Sequence, residues 1–152
     1  TAMGLNPHGG QFDHPLVLRA KLEIAAACHG FGKVPSHAVV TELKDRKALQ
    51  LAAETACRRL GYTRMWSIHP DQIRVIVDAF APTTAEVDLA IEILLAAQAA
   101  GWAPIRHRDS LHDRASYRYF WQLLQRAHRT SYHGGAQLPV EVCQAFFASG
   151  CT

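Results

Sequence analysis

The chain has 152 residues, of which 49% are hydrophobic, and a formal net charge of +3. This length is enough for one hydrophobic core and does not require a second one, and the composition is typical of a soluble globular protein. A charge of this size does not by itself indicate a nucleic-acid-binding protein, and it leaves an anionic small molecule open as a ligand.

Neither a membrane span nor a secretory signal is visible in the sequence. The longest apolar run, residues 91–100, is interrupted by Glu92 and Gln98 and is too short to cross a bilayer. The four cysteines are far apart and lack metal-ligand spacing, and two of them lie in helical patterns where a thiol acts as a small hydrophobic side chain. We therefore predict a protein of the reducing cytoplasm that does not associate with a membrane.

The first half of the chain alternates predicted helices and strands. Residues 1–13 are predicted as a loop, and the start at Thr1 suggests that a further segment precedes it. Apolar side chains at helical spacing predict a helix over residues 15–28, with the charged side chains of Arg19, Lys21 and Glu23 between the apolar positions. A β-branched run predicts a buried strand within residues 36–41. A second helix has an apolar face made of Leu49, Ala53, Ala56 and Leu60. This order predicts parallel strands joined by helical crossovers.

A short stretch that begins at Gly61 combines a helix end, a buried strand and a new helix start. Gly61 suits the left-handed residue that ends a helix, and residues 65–68 form an apolar run of strand length. Pro70 and Asp71 are typical of a first helical turn, because proline has no amide hydrogen and an acidic side chain is favoured there. His69 lies at the carboxyl end of the predicted strand, which is the end that carries the chemistry in an α/β barrel.

The second half of the chain is predicted to be mainly helical. A capping box of Thr83 and Glu86 starts the clearest helix in the sequence. Residues 102–112 are predicted to be irregular and basic, and an aromatic-rich helix is predicted over residues 113–128. A last short helix is predicted near residues 140–148.

Three segments carry a family resemblance. They are Gly61-Tyr62, Ile68-His69-Pro70-Asp71-Gln72-Ile73 and Phe80-Ala81-Pro82-Thr83. They resemble the C-terminal part of the citrate lyase β-subunit and malyl-CoA lyase family, also called the HpcH/HpaI aldolase superfamily. The resemblance implies an α/β fold with two to three parallel strands: the C-terminal portion of a TIM (β/α)8 barrel in residues 1–82, followed by a helical C-terminal extension in residues 83–152.

The same resemblance implies a Mg²⁺-dependent lyase that makes or breaks a carbon-carbon bond next to a CoA thioester carbonyl through an enolate. The family's metal ligands come from strands that have no counterpart in this chain. We therefore expect the Mg²⁺ ligands in a missing N-terminal part, no metal ligand among these residues and no activity of the isolated chain. The expected partners are a CoA thioester substrate and copies of the same chain in a trimer-like homo-oligomer, without nucleic acid.

Two candidate site residues each have two interpretations. His69 either bonds to backbone carbonyls and orients the turn at Pro70, or contacts the substrate or CoA. Asp113 is either the N-cap of the aromatic helix or an acid-base group that reaches a neighbouring subunit's active site, as the family's C-terminal extension does. The chain also departs from the family at His37, near a position where relatives often carry aspartate.

A basic cluster supplies the remaining candidates. Arg106 and Arg108 belong to it together with His107, Arg114 and Arg118. The cluster either binds the phosphates of CoA, because arginine matches phosphate geometry, or is a solvated or interface surface. A second functional hypothesis is a non-catalytic partial barrel that self-associates, or binds a partner, through exposed apolar surface.

Overall fold

The computed structural model describes residues 14–131 and 136–147. The chain divides between Phe80 and Ala81 into two compact units, here called unit 1 and unit 2. The predicted division after residue 82 lies close to this point. That unit 1 is the end of a barrel and unit 2 its extension stays a prediction.

Unit 1 alternates helices and short strands. Its elements are α1 (Pro15–Gly30), β1 (Ser36–His37), α2 (Arg46–Glu54), β2 (Arg64–Met65) and α3 (Pro70–Phe80). Asp45 caps α2, because its Oδ1 accepts a hydrogen bond from the amide of Ala48 at 2.9 Å. A π-helical turn, Thr55–Arg59, continues α2. Gly61 then ends this segment with φ +75°, the left-handed conformation predicted for it.

The sheet of unit 1 is the parallel pair of β1 and β2, which confirms the predicted direction of the strands. Both strands are shorter than the predicted residues 36–41 and 65–68. Beyond the paired residues, one side chain forms hydrogen bonds to both backbones in place of hydrogen bonds between the strands. Gln72 donates from Nε2 to the carbonyl of Val40 at 2.8 Å and accepts at Oε1 from the amide of Ile68 at 3.0 Å. Because these backbone groups bond to a side chain, the strand pairing ends before them.

The core of unit 1 lies where α2 packs against α3. The predicted apolar face of α2 and its continuation is confirmed, since all four of its members are buried: Leu49, Ala53, Ala56 and Leu60. Met65 from β2 and Ile76 and Ala79 from α3 complete the buried cluster around Leu49 and Ala53.

Unit 2 is built on two packed helices. Its elements are α4 (Thr84–Ala99), β3 (Ile105–His107), β4 (Ser110–His112), α5 (Arg114–Ser131) and α6 (Val140–Phe146). The capping box is confirmed, because Glu86 Oε2 accepts from the amide of Thr83 at 2.7 Å and Thr83 Oγ1 accepts from the amide of Glu86 at 3.3 Å. The contact between α4 and α5 contains fully buried side chains from both helices, among them Ile93 and Leu124.

Residues 105–112 form an antiparallel hairpin, so the prediction that residues 102–112 are irregular is wrong for these eight residues. β3 pairs with β4 across a two-residue turn, Arg108 and Asp109. Arg108 adopts φ +53°, a left-handed conformation that usually belongs to glycine or asparagine. The turn lacks the Asn-Gly or Asp-Gly pair by which such hairpins are recognised in a sequence. The expectation that all strands are parallel is therefore corrected for unit 2.

The described residues also bear on location and redox state. None of their helices has the length and apolar character needed to cross a membrane. Cys28 and Cys57 are not in disulfide bonds, whereas Cys143 is disulfide-bonded. The interpretation of the cysteines as those of a reducing cytoplasm did not anticipate this bond, because disulfides are rare in that compartment. A cytoplasmic location stays a prediction.

Candidate functional site at the strand ends of unit 1

The carboxyl ends of β1 and β2 lie at the same edge of unit 1, because the two strands are parallel. A cavity of about 410 Å³ is lined by the segments that follow these strands, including Lys44, Arg46, Asp71 and Arg74. α2 and α3 both begin at this edge, and helix N-termini favour negative charge. Three basic side chains and one acidic side chain line the cavity, so its positive net charge suits an anion.

His69 caps α3 at this edge. Its Nδ1 accepts a hydrogen bond from the amide of Asp71 at 3.2 Å, and its carbonyl accepts from the hydroxyl of Ser67 at 2.8 Å. The His69 side chain remains 46% exposed. The residue therefore holds the turn through local hydrogen bonds, although the side chain accepts from an amide and does not donate to the predicted carbonyls. Its role as a contact of substrate or CoA stays a prediction.

Gln72 is the residue of this edge that sequence reasoning missed. Its side chain is 2% exposed and joins the two strand ends through Val40 and Ile68. A long polar side chain at a buried position of a helix needs hydrogen-bond partners. The signal in the sequence was therefore the glutamine itself, which lies on the apolar face of α3 one turn before Ile76.

A buried pair of titratable side chains connects α1 to β1. Lys21 Nζ is 2.5 Å from His37 Nε2, and these two residues are 8% and 1% exposed. The other ring nitrogen of His37 lies 3.0 Å from the carbonyl of Ala38. A carbonyl can only accept, so we assign the ring proton to Nδ1 and the acceptor role to Nε2. His37 thus receives a hydrogen bond from Lys21.

Burial changes the protonation of both members of this pair. It lowers the pKa of Lys21 from 10.5 to about 8. Burial and the charge of Lys21 lower the pKa of His37 from 6.5 to about 4. Tyr62 supports the pair, since its hydroxyl donates to the carbonyl of Lys21 at 2.9 Å and its ring meets the ring of His37 edge-on. The sequence pattern placed Lys21 among the exposed charges of α1, which the structure contradicts because Lys21 and Ala25 form its buried side.

Lys21→Met is expected to remove a pH dependence from the stability of unit 1. Between about pH 8 and pH 10.5 the unfolded chain holds a proton on Lys21 that the folded chain has lost, so the free energy of unfolding rises with pH. The variant lacks the amine and should not show this rise. Urea unfolding at several pH values, followed by circular dichroism, measures it.

Lys47→Met is the matched control, because Lys47 is an exposed lysine of α2. The control should keep the rise in stability. An equal rise in both variants would show that the pKa of Lys21 is not depressed by folding.

The other predicted site residues lie in unit 2. Asp113 is the N-cap of α5, because its Oδ1 accepts from the amide of Ala115 at 3.0 Å and from that of Ser116 at 3.4 Å. This is the geometry of the capping interpretation. The interpretation that Asp113 acts in a neighbouring subunit's active site stays a prediction.

Arg106 and Arg108 are exposed side chains of the hairpin, and each has an acidic neighbour. Arg106 lies 3.4 Å from Asp109, and Arg108 lies 3.3 Å from Glu92. Exposed ion pairs of this kind contribute little free energy, so a phosphate can compete for the guanidinium groups. Binding of CoA phosphates by Arg106 and Arg108 stays a prediction.

The described residues do not fit a magnesium site. Within residues 14–131 and 136–147, no three histidine, cysteine, aspartate or glutamate side chains come close enough together to hold a metal ion. We therefore assign no metal-dependent step to any of these side chains.

Part of the chain is similar in sequence to known lyases and lyase-like proteins. The chain is 32% identical to L-malyl-CoA/β-methylmalyl-CoA lyase of Rhodobacter capsulatus over 102 residues, which are 65% of this chain and 32% of that protein. It is 37% identical to a citrate lyase subunit β-like protein of Deinococcus radiodurans over 84 residues, which are 55% of this chain and 29% of that protein. The chain thus spans about a third of the length of these relatives. No protein-family model matches it.

Two solved structures resemble the chain over most of its length. A citrate lyase of Burkholderia xenovorans LB400 is 56% identical, with a TM-score of 0.71, and the match covers 92% of this chain and 42% of that protein. CitE of Mycobacterium tuberculosis, solved in complex with magnesium, acetoacetate and coenzyme A, is 22% identical, with a TM-score of 0.66, and the match covers 82% of this chain and 47% of CitE. The second likeness concerns the fold alone.

The parallel strand pair, the capped turn at His69 and these comparisons define a protein with the fold of the citrate lyases. Its homologues are lyases. Its relatives are thus malyl-CoA lyases, citrate lyase β-like proteins and citrate lyases, which confirms the resemblance found in the sequence motif.

Proposed function

We propose that the chain is the C-terminal part of a Mg²⁺-dependent CoA-ester lyase of the malyl-CoA or citramalyl-CoA type, which cleaves or forms a carbon-carbon bond by an enolate mechanism. The observation that supports this most is the 56% identity to a citrate lyase across 92% of the chain. Unit 1 then supplies the last β/α units of a barrel, and unit 2 supplies the helical extension. The cytoplasm is the proposed location.

Within the complete enzyme, the proposed substrate is a CoA thioester. The cavity that follows β1 and β2 suits an anionic group, because Lys44, Arg46 and Arg74 line it. His69 has one ring nitrogen in the cap of α3 and a side chain that is 46% exposed, so it combines a fixed position with access to a ligand. Arg106 and Arg108 are the proposed contacts of the CoA phosphates. A trimer-like homo-oligomer would bring Asp113 to a neighbouring active site.

The isolated chain is proposed to be inactive, because its described residues offer no Mg²⁺ site. The test compares the chain with a hybrid in which the N-terminal part of the Burkholderia citrate lyase, outside the matched region, precedes it. We expect the hybrid to release the carbonyl product from malyl-CoA or citramalyl-CoA when Mg²⁺ is present, and the isolated chain to release none.

A folded hybrid that cleaves none of a panel of β-hydroxyacyl-CoA esters would contradict the proposed function. Turnover by the isolated chain with Mg²⁺ would contradict its inactivity. Circular dichroism and the mass in solution show whether the hybrid has folded. His69→Ala in an active hybrid then tests the proposed substrate contact, which predicts a lower kcat/KM.

A non-catalytic module that associates with itself is the second candidate function. The observation in its favour is a set of exposed large apolar side chains in unit 1, including Leu16, Leu22, Ile24, Phe31 and Val34. Exposed apolar side chains mark an interaction site where they form one contiguous patch. Light scattering measures the mass of the chain in solution and so shows whether it associates with itself. A chain that stays monomeric at high concentration would contradict this candidate function.

A further inference from the structure

Unit 2 contains an apolar cavity of about 660 Å³ that the proposed lyase function does not use. Aromatic rings and two guanidinium groups line it, from Trp102, Arg114, Tyr117, Arg118, Trp121 and Phe146. Cavities of 300 to 1,000 Å³, apolar apart from a few polar groups, are typical of small-molecule sites. The volume is sufficient for a molecule of roughly two fused rings.

The aromatic walls of this cavity are held in place. Tyr117 donates its hydroxyl to the carbonyl of Ala103 at 2.7 Å, and its ring meets that of Trp102 with centroids 6.1 Å apart. Trp121 packs against Phe146 with centroids 6.2 Å apart. Trp102 has φ +64°, which is uncommon for a bulky residue and costs about 1 kcal/mol or more. The fold thus keeps Trp102 in an unfavourable backbone conformation that places it at the cavity.

The charges of the cavity point to an anion. Arg114 and Arg118 are four residues apart on α5, so they lie on one face of the helix, and both are exposed. In the part of the chain that the structure describes, neither has an ion pair with an acidic side chain, whereas Arg106 and Arg108 do. The Tyr117 hydroxyl is already bonded to the backbone. The two guanidinium groups are therefore the charged groups that the described wall of this cavity offers to a ligand.

We propose that this cavity binds a flat aromatic carboxylate. The ring lies against Trp102 and Trp121, and the carboxylate accepts hydrogen bonds from Arg118 and Arg114. One arginine can satisfy a carboxylate with two parallel hydrogen bonds. A phosphate monoester carries up to two negative charges on a larger polar group, so a mainly apolar wall suits the smaller, singly charged carboxylate better. The proposal concerns unit 2 alone and does not depend on lyase activity.

The test follows the indole N–H signals of the intact ¹⁵N-labelled chain by NMR during titration with 2-naphthoate. The chain has three tryptophans, and Trp66→Phe identifies the signal of the one that lies in unit 1. We expect saturable shifts of the signals of Trp102 and Trp121 and no shift of that of Trp66. The uncharged 2-naphthalenemethanol should bind about tenfold more weakly, because a hydrogen bond to a charged group contributes about 1.5 kcal/mol or more.

Arginine variants test the carboxylate contact. Arg114→Gln and Arg118→Gln should each weaken binding of 2-naphthoate about five- to tenfold. Both should leave binding of 2-naphthalenemethanol unchanged. Arg129→Gln removes an exposed arginine from the same helix, away from the cavity, and should not change either affinity. Unchanged circular dichroism confirms that each variant has folded.

Four results would overturn the proposal. They are the absence of shifts at millimolar 2-naphthoate, equal shifts of all three tryptophan signals, equal affinity for the charged and the neutral probe, and unchanged affinity in both arginine variants. Tighter binding of adenosine monophosphate than of 2-naphthoate would also contradict the carboxylate class. It would show that the site selects a phosphate.

Discussion

Leu124→Ala is expected to lower the free energy of unfolding of unit 2 by about 2–5 kcal/mol. Leu124 is 0% exposed in the contact between α4 and α5. Truncation removes buried methyl groups and leaves a cavity that the two helices can only partly close, because both bring side chains such as Ile93 and Ala127 to the same cluster. This is the largest single-residue effect that we predict.

Urea unfolding measures the effect of Leu124→Ala, followed by tryptophan emission in a Trp66→Phe background so that the signal comes from unit 2. Leu111→Ala is the matched control. Leu111 is 74% exposed on β4, and its truncation should change the free energy of unfolding by less than about 0.5 kcal/mol. Equal effects of the two substitutions would contradict the assignment of the α4 and α5 contact as the core of unit 2.

Gln72→Leu is expected to lower the free energy of unfolding of unit 1 by about 1–3 kcal/mol for each backbone group left without a partner. Leucine keeps the apolar stem of the side chain but can neither donate to the carbonyl of Val40 nor accept from the amide of Ile68. The carbonyl of Val40 lies in a buried hydrogen bond, where water replaces a lost partner poorly, whereas Ile68 is 54% exposed and its amide can bond to water. The expected effect is therefore that of one group left without a partner, which is smaller than the effect of Leu124→Ala.

Gln50→Leu is the control for Gln72→Leu. Gln50 is an exposed glutamine of α2 that bonds to Glu54 one turn along the same helix, so its loss should cost less than about 0.5 kcal/mol. Urea unfolding monitored at 222 nm compares the two variants. If Gln72→Leu is as stable as the control, then Gln72 does not hold the strand ends together.

The bonds of Gln72 give a physical reason for the motif that identified the family. Pro70 and Asp71 start α3, His69 caps it, and Gln72 reaches back to both strands. Each residue type is needed for a different hydrogen bond or backbone conformation at the edge that follows β1 and β2. A lyase site at this edge would thus rest on a scaffold that is fixed before any ligand binds.

Local signals were enough to predict most helices and the family. Thr83 and Glu86 start α4 as a capping box, and the apolar face from Leu49 to Leu60 is buried as predicted, because both patterns depend on neighbours within one or two helical turns. The direction of β1 and β2 also followed from the sequence, since a helix connects them. The motif around His69 indicated a resemblance to the citrate lyase β-subunit and malyl-CoA lyase family, and the comparisons confirm that resemblance.

Only the tertiary structure decided which polar groups are buried and where the strands end. Lys21 reads as an exposed charge on α1, and it became a buried partner of His37 because the packing of α1 turned that side inward. The hairpin turn at Arg108 carries no turn-specific residues, so its conformation depends on the pairing of β3 with β4. The cavity beside Arg114 and Arg118 combines side chains from α4, α5 and α6 with Trp102. Hydrogen bonds and cavities between distant segments arise from packing, and periodicity along one element does not contain them.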